Sequence, residues 1–554
     1  MRTGWRESSS PYPKRSLPIL GNKVTPEEGN DLGVRLAEKS DYLVVARKRV
    51  KARGAKGIMK MRTTKLEQLN LVFADSPQGG QAGEVPNLLG TAKARLHKAK
   101  GKELRGFVTG AADASSVLEA VASEMNLLRA LYKVIQNKGA PGVDGQSVGA
   151  VNEEHQELLP RLRRELLAGT YCPGDIRRVW IPKPGGGERG LGIPNVIDRW
   201  VQQAVLQVLE PIYEPTFHEG SHGFRRGRGA STAIAKAREY LGAGFTTIVD
   251  IDLAKFFDRV NHQRLLSRLA KRVKDKGVLQ LIGRMLKAHV VLPDGTRVVS
   301  EEGTPQGGPL SPLLSNIVLD ELDWELERRG LRFVRYADDA NIFVASRRAG
   351  ERVMVSVERF LEKRLRLSIN TEKSAVRRPQ DVHFLGFRFC RNKEGKWTIH
   401  LSRKTVERVK GRLREMTPRN WGQSLQGCMG QLNTYIKGWV AYYRLCSEEG
   451  VRNWKAMDAH VRRRLRAIVI RQKKRPGFLY RHLLSREVPA SQAARAAWSG
   501  RGTWHRSACK GMHLGYRTDW FTERLVSLTT EWYRHNLPDL VPPVSEQQLT
   551  LFAQ

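Results

Sequence analysis

Arg332-Phe333-Val334-Arg335-Tyr336-Ala337-Asp338-Asp339-Ala340-Asn341-Ile342-Phe343-Val344-Ala345 reads as two strands joined by a tight turn. The flanks, 332–336 and 341–345, are aromatic and β-branched, as strand residues are, and the two adjacent acids fall at the tip. Two carboxylates at one turn repel each other and raise each other's pKa unless a cation lies between them. A divalent metal supplies that cation, and metals held by paired acids clamp the attacking and leaving oxygens of phosphoryl transfer. Asp-Asp is also a common turn dipeptide, so the rest of the chain decides between the two readings.

A third carboxylate stands upstream. Thr246 to Val249 reads as a buried strand running into Asp250-Ile251-Asp252-Leu253-Ala254-Lys255-Phe256-Phe257-Asp258. Asp252 is the candidate to join the hairpin pair, and Asp250, two residues earlier, shares its strand face and is the alternative. Either acid could instead cap the following helix. Between the acids lies Pro305-Gln306-Gly307-Gly308-Pro309, where the glycines let backbone approach a ligand closely, followed by the start of a helix. Further upstream, Ile181-Pro182-Lys183-Pro184-Gly185-Gly186-Gly187-Glu188-Arg189 sets two cations across a glycine turn. Lysine as a point charge and arginine as a planar fork suit a triphosphate.

Composition narrows the partners. Of 554 residues, 95 are Lys or Arg against 56 acids, a net charge of +39 that a polyanion relieves. No apolar run reaches the length of a spanning helix and no secretory leader is evident, so the chain is expected to be soluble, without a membrane partner. The five cysteines show no Cys-x-x-Cys spacing, which supports neither a zinc module nor a disulfide framework.

Four regions follow from patterning. Residues 1–95 mix Gly, Pro, Ser and basic runs and are expected to be a largely disordered extension. Residues 96–395 alternate strands and helices, beginning with an apolar helical face at Val117, Val121, Met125, Leu128, Tyr132 and Ile135. Residues 396–484 turn helical and basic, with nineteen Lys/Arg against five Asp/Glu between Arg403 and Arg475. Within them Leu432, Tyr435, Ile436, Trp439 and Tyr443 form an apolar stripe. Residues 485–554 carry Trp498, Trp504, Trp520 and Trp532, with Phe521, Leu525, Leu528 and Trp532 suggesting a closing helix, and end in a tail from Pro538 that is expected to be disordered.

The order of motifs resembles group II intron-encoded reverse transcriptases with maturase activity, over about residues 110–535. The resemblance rests on Gly139 to Gly145, Ile181-Pro182-Lys183 through Pro194, Ser221-His222-Gly223-Phe224-Arg225, and the strand ending in Asp252. It continues through the Pro-Gln-Gly-Gly loop, Tyr-Ala-Asp-Asp, Leu367 to Ser374 and Phe384-Leu385-Gly386-Phe387. It implies an α+β right-hand polymerase, with fingers and a palm built on antiparallel sheet, followed by an α-helical thumb or maturase domain and a DNA-binding-like region. By motif position Asp252, Asp338 and Asp339 would hold two Mg²⁺ ions, with Mn²⁺ as a substitute. Lys183 and Arg189 match contacts to the incoming nucleotide's phosphates, and Phe257 matches the aromatic that excludes a 2′-hydroxyl. Gln306 matches the loop near the templating pair, and Lys373 a proton donor to pyrophosphate. The implied partners are intron RNA as template, a target DNA primer and dNTPs, in a bacterial cytoplasm or nucleoid, with a homodimer left open. The Cys-pair, His-containing nuclease domain of some members is missing from this sequence. Two rivals stand beside this reading: a non-intron reverse transcriptase (retron-like, diversity-generating or repair), and an RNA-binding splicing maturase without polymerase activity.

Overall fold

The computed structural model describes residues 116–182, 187–418 and 422–537, together with the backbone pairing of Leu43–Val44 and Gln68–Leu69. Apart from that pair, the expected N-terminal extension lies outside the described residues, as do Lys183 and the tail from 538. The described chain opens with α1 (Ser116–Ala122) and α2 (Glu124–Gln136). The single helical face expected here is interrupted. Ser123 is extended, and its hydroxyl accepts from the Asn126 amide as the cap of α2. The restart shifts the phase, so Leu127, Ala130, Leu131 and Val134 are buried while Met125, Leu128, Tyr132 and Ile135 are only half-buried.

A hairpin follows, β1 (Ile176–Pro182) and β2 (Glu188–Ile193), with Ile181 opposite Arg189. The short strand Val290–Val291 runs parallel to β1, a parallel pairing inside an otherwise antiparallel sheet. Helix α3 (Val196–Tyr213) follows, and Trp200, Val201, Ala204, Val205 and Leu209 along it are fully buried. The Trp200 indole donates to the Leu127 carbonyl at 2.7 Å, tying α3 to α2.

The central sheet comes next. Helix α4 (Ala230–Gly242) leads into β3 (Thr247–Asp252), and α5 (Ser311–Arg328) leads into β4 (Arg332–Tyr336) and β5 (Asp339–Val344). After α6 (Arg347–Phe360), strand β6 (Ala375–Arg377) completes the antiparallel order β6-β3-β5-β4. Alternation divides the strand residues between two cores. Val249, Ile251, Phe333 and Ile342 join the core shared with α3 and α5. Ile248, Val334 and Phe343 join a second core shared with α4 and the C-terminal helices. By the same period of two, Asp250, Asp252 and Asp339 share the second face, towards its end.

The C-terminal unit is helical, as its sequence implies. A hairpin, β7 (Phe387–Arg391) and β8 (Trp397–Leu401), precedes α7 (Arg403–Glu415), α8 (Leu425–Tyr443) and α9 (Trp454–Gln472). Leu432, Ile436 and Tyr443 of the expected stripe are buried on α8. The closing helix α10 (Leu528–Asn536) is shorter than the aromatic spacing suggested, because Phe521 lies on a separate turn, Thr518–Thr522. Asp458 of α9 accepts from the Leu528 and Thr529 amides at the start of α10 (2.8 and 3.2 Å). Among the described residues no helix is long and apolar enough to cross a membrane.

Candidate active site

The acidic hairpin is tighter than its sequence suggested. Tyr336 and Asp339 pair directly, so the connection is only Ala337-Asp338, and Asp339 belongs to the strand. Ala337 adopts φ +57°, a left-handed conformation that costs a residue with a Cβ on the order of 1 kcal/mol. A buried network holds the turn in place. Arg335, 1% exposed, donates from Nη1 to the Ala337 carbonyl at 2.9 Å. The same guanidinium makes a two-pronged ion pair with Asp323 of α5 (2.7 and 2.6 Å) and donates to Asn316 and Ser221. Gly223 packs so closely that a Cβ there would lie 2.3 Å from the Ala337 amide nitrogen, so only glycine fits. Arg335 and Asp323 were not singled out from the sequence. The available signal was an arginine set within an aromatic and β-branched run, three residues ahead of Asp338.

Register brings the upstream acid to the hairpin: Asp252 is the cross-strand partner of Asp339. Its backbone is fixed by the returning segment, with Asn370 N donating to the Asp252 carbonyl at 2.7 Å and Asp252 N to Ser374 Oγ at 3.0 Å. That segment carries Lys373, whose Nζ lies 3.3 Å from Asp252 Oδ2. Asp250 is engaged elsewhere, by Arg377 at 3.2 Å. Burial pushes its carboxyl up to about 6, opposed by the Arg377 charge and reinforced by Asp339 and Asp252.

The Pro-Gln-Gly-Gly loop and the β1–β2 hairpin also meet. Arg189 Nε donates to Gln306 Oε1 at 2.8 Å, and Gly192 N to the Gln306 carbonyl at 2.9 Å. Gly307 (φ +137°) passes so near Gly192 that a Cβ would stand 2.5 Å from its carbonyl oxygen. Phe257 is buried, in edge contact with Phe256, and its carbonyl accepts from Thr304 N just ahead of the loop. Asp252, Asp339 and Lys373 are thus gathered in one place, Arg189 and Gln306 in another, with Phe257 linked to the same loop. Asp338 is half-buried at the turn.

The donor set suits a hard divalent cation, since it offers only carboxylate oxygens on paired, rigid strands. As the side chains stand, no group of three or more acidic, His or Cys residues converges on an ion position among the described residues. The Lys373 ammonium supplies a positive charge beside Asp252.

In the C-terminal unit, cations outnumber the acids available to neutralise them. Arg463 stacks on the half-buried Trp504 at 4.0 Å, and Trp498, 58% exposed, lies at the surface. Trp532 is buried.

Comparison with known proteins follows the same division of the chain. Residues 181–389 match the family described as Reverse transcriptase (RNA-dependent DNA polymerase). Residues 406–486 match Group II intron, maturase-specific domain. Protein YkfC of Escherichia coli (strain K12) is 34% identical over 309 residues, covering 48% of this chain and 81% of that protein. The Group II intron-encoded protein LtrA of Lactococcus lactis subsp. cremoris is 37% identical over 209 residues, covering 37% of this chain and 34% of that protein.

Proposed function

We infer that this chain, which belongs to the family of group II intron-encoded reverse transcriptases with a maturase domain, copies RNA into DNA and binds its intron RNA to assist splicing and mobility. The observation that carries the polymerase reading is the cross-strand pairing of Asp252 with Asp339 beside the Asp338 turn. Asp252, Asp338 and Asp339 are the residues that would hold Mg²⁺, or Mn²⁺ in its place. Bound there, such ions would supply the positive charge that favours ionisation of a primer 3′-hydroxyl and offsets charge on the transferred phosphoryl group and on pyrophosphate.

This chain's own groups do the positioning. Arg189, anchored on Gln306, faces the incoming triphosphate across the fingers hairpin, with Lys183 as its proposed companion on the same glycine turn. Gln306 steadies the loop beside the templating base. Phe257 walls the sugar site against a 2′-hydroxyl and so selects dNTPs. Lys373, within reach of Asp252, delivers a proton to leaving pyrophosphate. The basic helices beyond residue 403 grip RNA by its phosphates and shape, and the maturase match over the same stretch favours an intron role over a retron-like or repair enzyme. The primer is a target DNA, and the setting a bacterial cytoplasm.

Primer extension on an RNA template tests the site. Asp338→Ala and Asp339→Ala are each expected to lower cDNA synthesis at least ~1,000-fold, the scale of removing a transition-state charge stabiliser, with RNA affinity changed less than about twofold. Metal-dependent extension surviving in either variant would refute the assignment.

A further inference from the structure

Strand β3 carries two carboxylates on one face, Asp250 and Asp252. Asp252 stands opposite Asp339, whereas Asp250 stands opposite Asn341 of β5 on one side and Ala375 of β6 on the other. Residues two apart on a strand are about 7 Å apart, so an ammonium reaching this face has two anions to choose between. Arg377 fills the place at Asp250. Its Nε donates to Asp250 Oδ2 at 3.2 Å.

The same guanidinium holds a second group. Its Nη2 donates to the Lys373 carbonyl at 2.9 Å. The Lys373 amide donates in turn to the Asn370 carbonyl at 3.2 Å, so both backbone polar groups of this residue are tied. Asn370 and Ser374, on either side, are fastened to the Asp252 backbone. The Lys373 side chain itself is 63% exposed. A long exposed lysine samples many rotamers, and the place its ammonium occupies depends on where its backbone is held.

We propose that Asp250 and Arg377 are positioning residues for Lys373. Asp250 orients the guanidinium, the guanidinium fixes the Lys373 carbonyl, and the ammonium is left to Asp252, 3.3 Å away. The inference rests on the reading of Lys373 as the proton donor to pyrophosphate. It gives a use to the acid that the sequence offered as the alternative to Asp252. A simple cation would offset the Asp250 charge and nothing more. The guanidinium adds the hold on the carbonyl, because its planar fork presents several N–H donors in fixed relation. Holding this arm matters, since proton transfer needs donor and acceptor within hydrogen-bond reach, and a misplacement of about 1 Å can cost on the order of 100-fold.

Single-turnover extension of a DNA primer on an RNA template by the full chain, with Mg²⁺ and saturating dNTP, reads the chemical step. Lys373→Ala is expected to slow it about 100-fold, the lower end of general acid contributions. Arg377→Met is expected to slow it about tenfold, with the dNTP concentration at half-maximal rate changed less than about twofold. In the Lys373→Ala background the same change should cost less than about twofold, because nothing is left to position. Arg377→Lys keeps a cation beside Asp250, which protects the fold, and is expected to remain at least about threefold slower than the unaltered chain. Amide exchange of the metal-free chain needs no turnover. In Arg377→Met the amides of Glu372, Lys373 and Ser374 should exchange about tenfold faster, with those of β7 unchanged. Losses that multiply in the Lys373→Ala background, full recovery of rate by Arg377→Lys, or unchanged exchange would each overturn the positioning role and leave Lys373 as donor. A Lys373→Ala chain as fast as the unaltered one would remove the donor reading and this proposal with it. An unaltered chain that extends no primer would refute the polymerase reading itself.

Discussion

Arginine does opposite work in the two halves of this molecule. Around the acidic hairpin, three cations meet nearby acids: Arg335 meets Asp323, Arg377 meets Asp250 and Lys373 meets Asp252. Arg335 is sealed in, and its charge is spent on holding one carbonyl of a strained turn. In the C-terminal unit, nineteen cations share five acids between Arg403 and Arg475, and Lys410 and Arg414 are exposed. Internal pairing makes a rigid scaffold for chemistry, whereas unbalanced charge leaves a surface that gains by meeting phosphate.

The comparison breaks first at Arg335. Arg335→Met strands the buried Asp323 charge and is expected to destabilise the fold by about 3–5 kcal/mol, read by urea denaturation. Adding Asp323→Leu should recover most of that stability, because a buried pair replaced by apolar groups is often neutral. Primer extension should stay depressed in the double variant, since the Ala337 carbonyl has still lost its donor. Full recovery of activity would mean that the network is structural only.

A smaller effect comes from a buried acid held by neutral donors. Asp198 is buried, accepts from the Tyr171 hydroxyl at 2.5 Å and from Gly174 N, and burial pushes its carboxyl up to about 6. Its folded pKa exceeds the unfolded value of about 4, so between those pH values the folded state holds a proton that the unfolded chain releases. The stability it contributes is present below about pH 4 and lost as pH rises through about 6, on the order of 3 kcal/mol. Asp198→Asn should flatten that part of the stability–pH curve and raise stability at pH 7, as measured by denaturant midpoints. An unchanged curve would contradict the burial argument.

The smallest effect is on the other side of the comparison. Arg414→Gln is expected to reduce the slope of log affinity against log salt by about 1 for bound RNA, with little change in stability. Filter binding at several salt concentrations reads it. Arg388, which donates to the Leu401 carbonyl, should move the slope less.

Much of the site was legible because its signals are local. Adjacent acids between two β-rich runs, an acid ending a buried strand, and glycines set among prolines each have a local physical meaning. The register that pairs Asp252 with Asp339 across 87 positions was not local, and neither was the choice between Asp252 and Asp250 as its partner. Arg377, 127 positions from Asp250, occupies that carboxylate, a contact that spacing cannot reveal. The helical face read through Met125 failed because Ser123 restarts the helix, and a cap inside an apolar run resets phase without changing composition. Trp498 is exposed while Trp532 is buried, a difference that aromatic content alone cannot show because it does not say which side a short helix presents.

What the sequence determined by itself was the chemistry on offer: a carboxylate pair, its upstream companion, a charge surplus needing a polyanion, and helical periods in the basic half. These depend on residue type and near-neighbour spacing, which act before the chain folds. Tertiary structure alone decided which acids meet, which cation braces the turn, and that Trp454 and His460 keep unpaired buried nitrogens. Those outcomes turn on contacts between distant segments, and only the packed chain brings such segments within a hydrogen bond of each other.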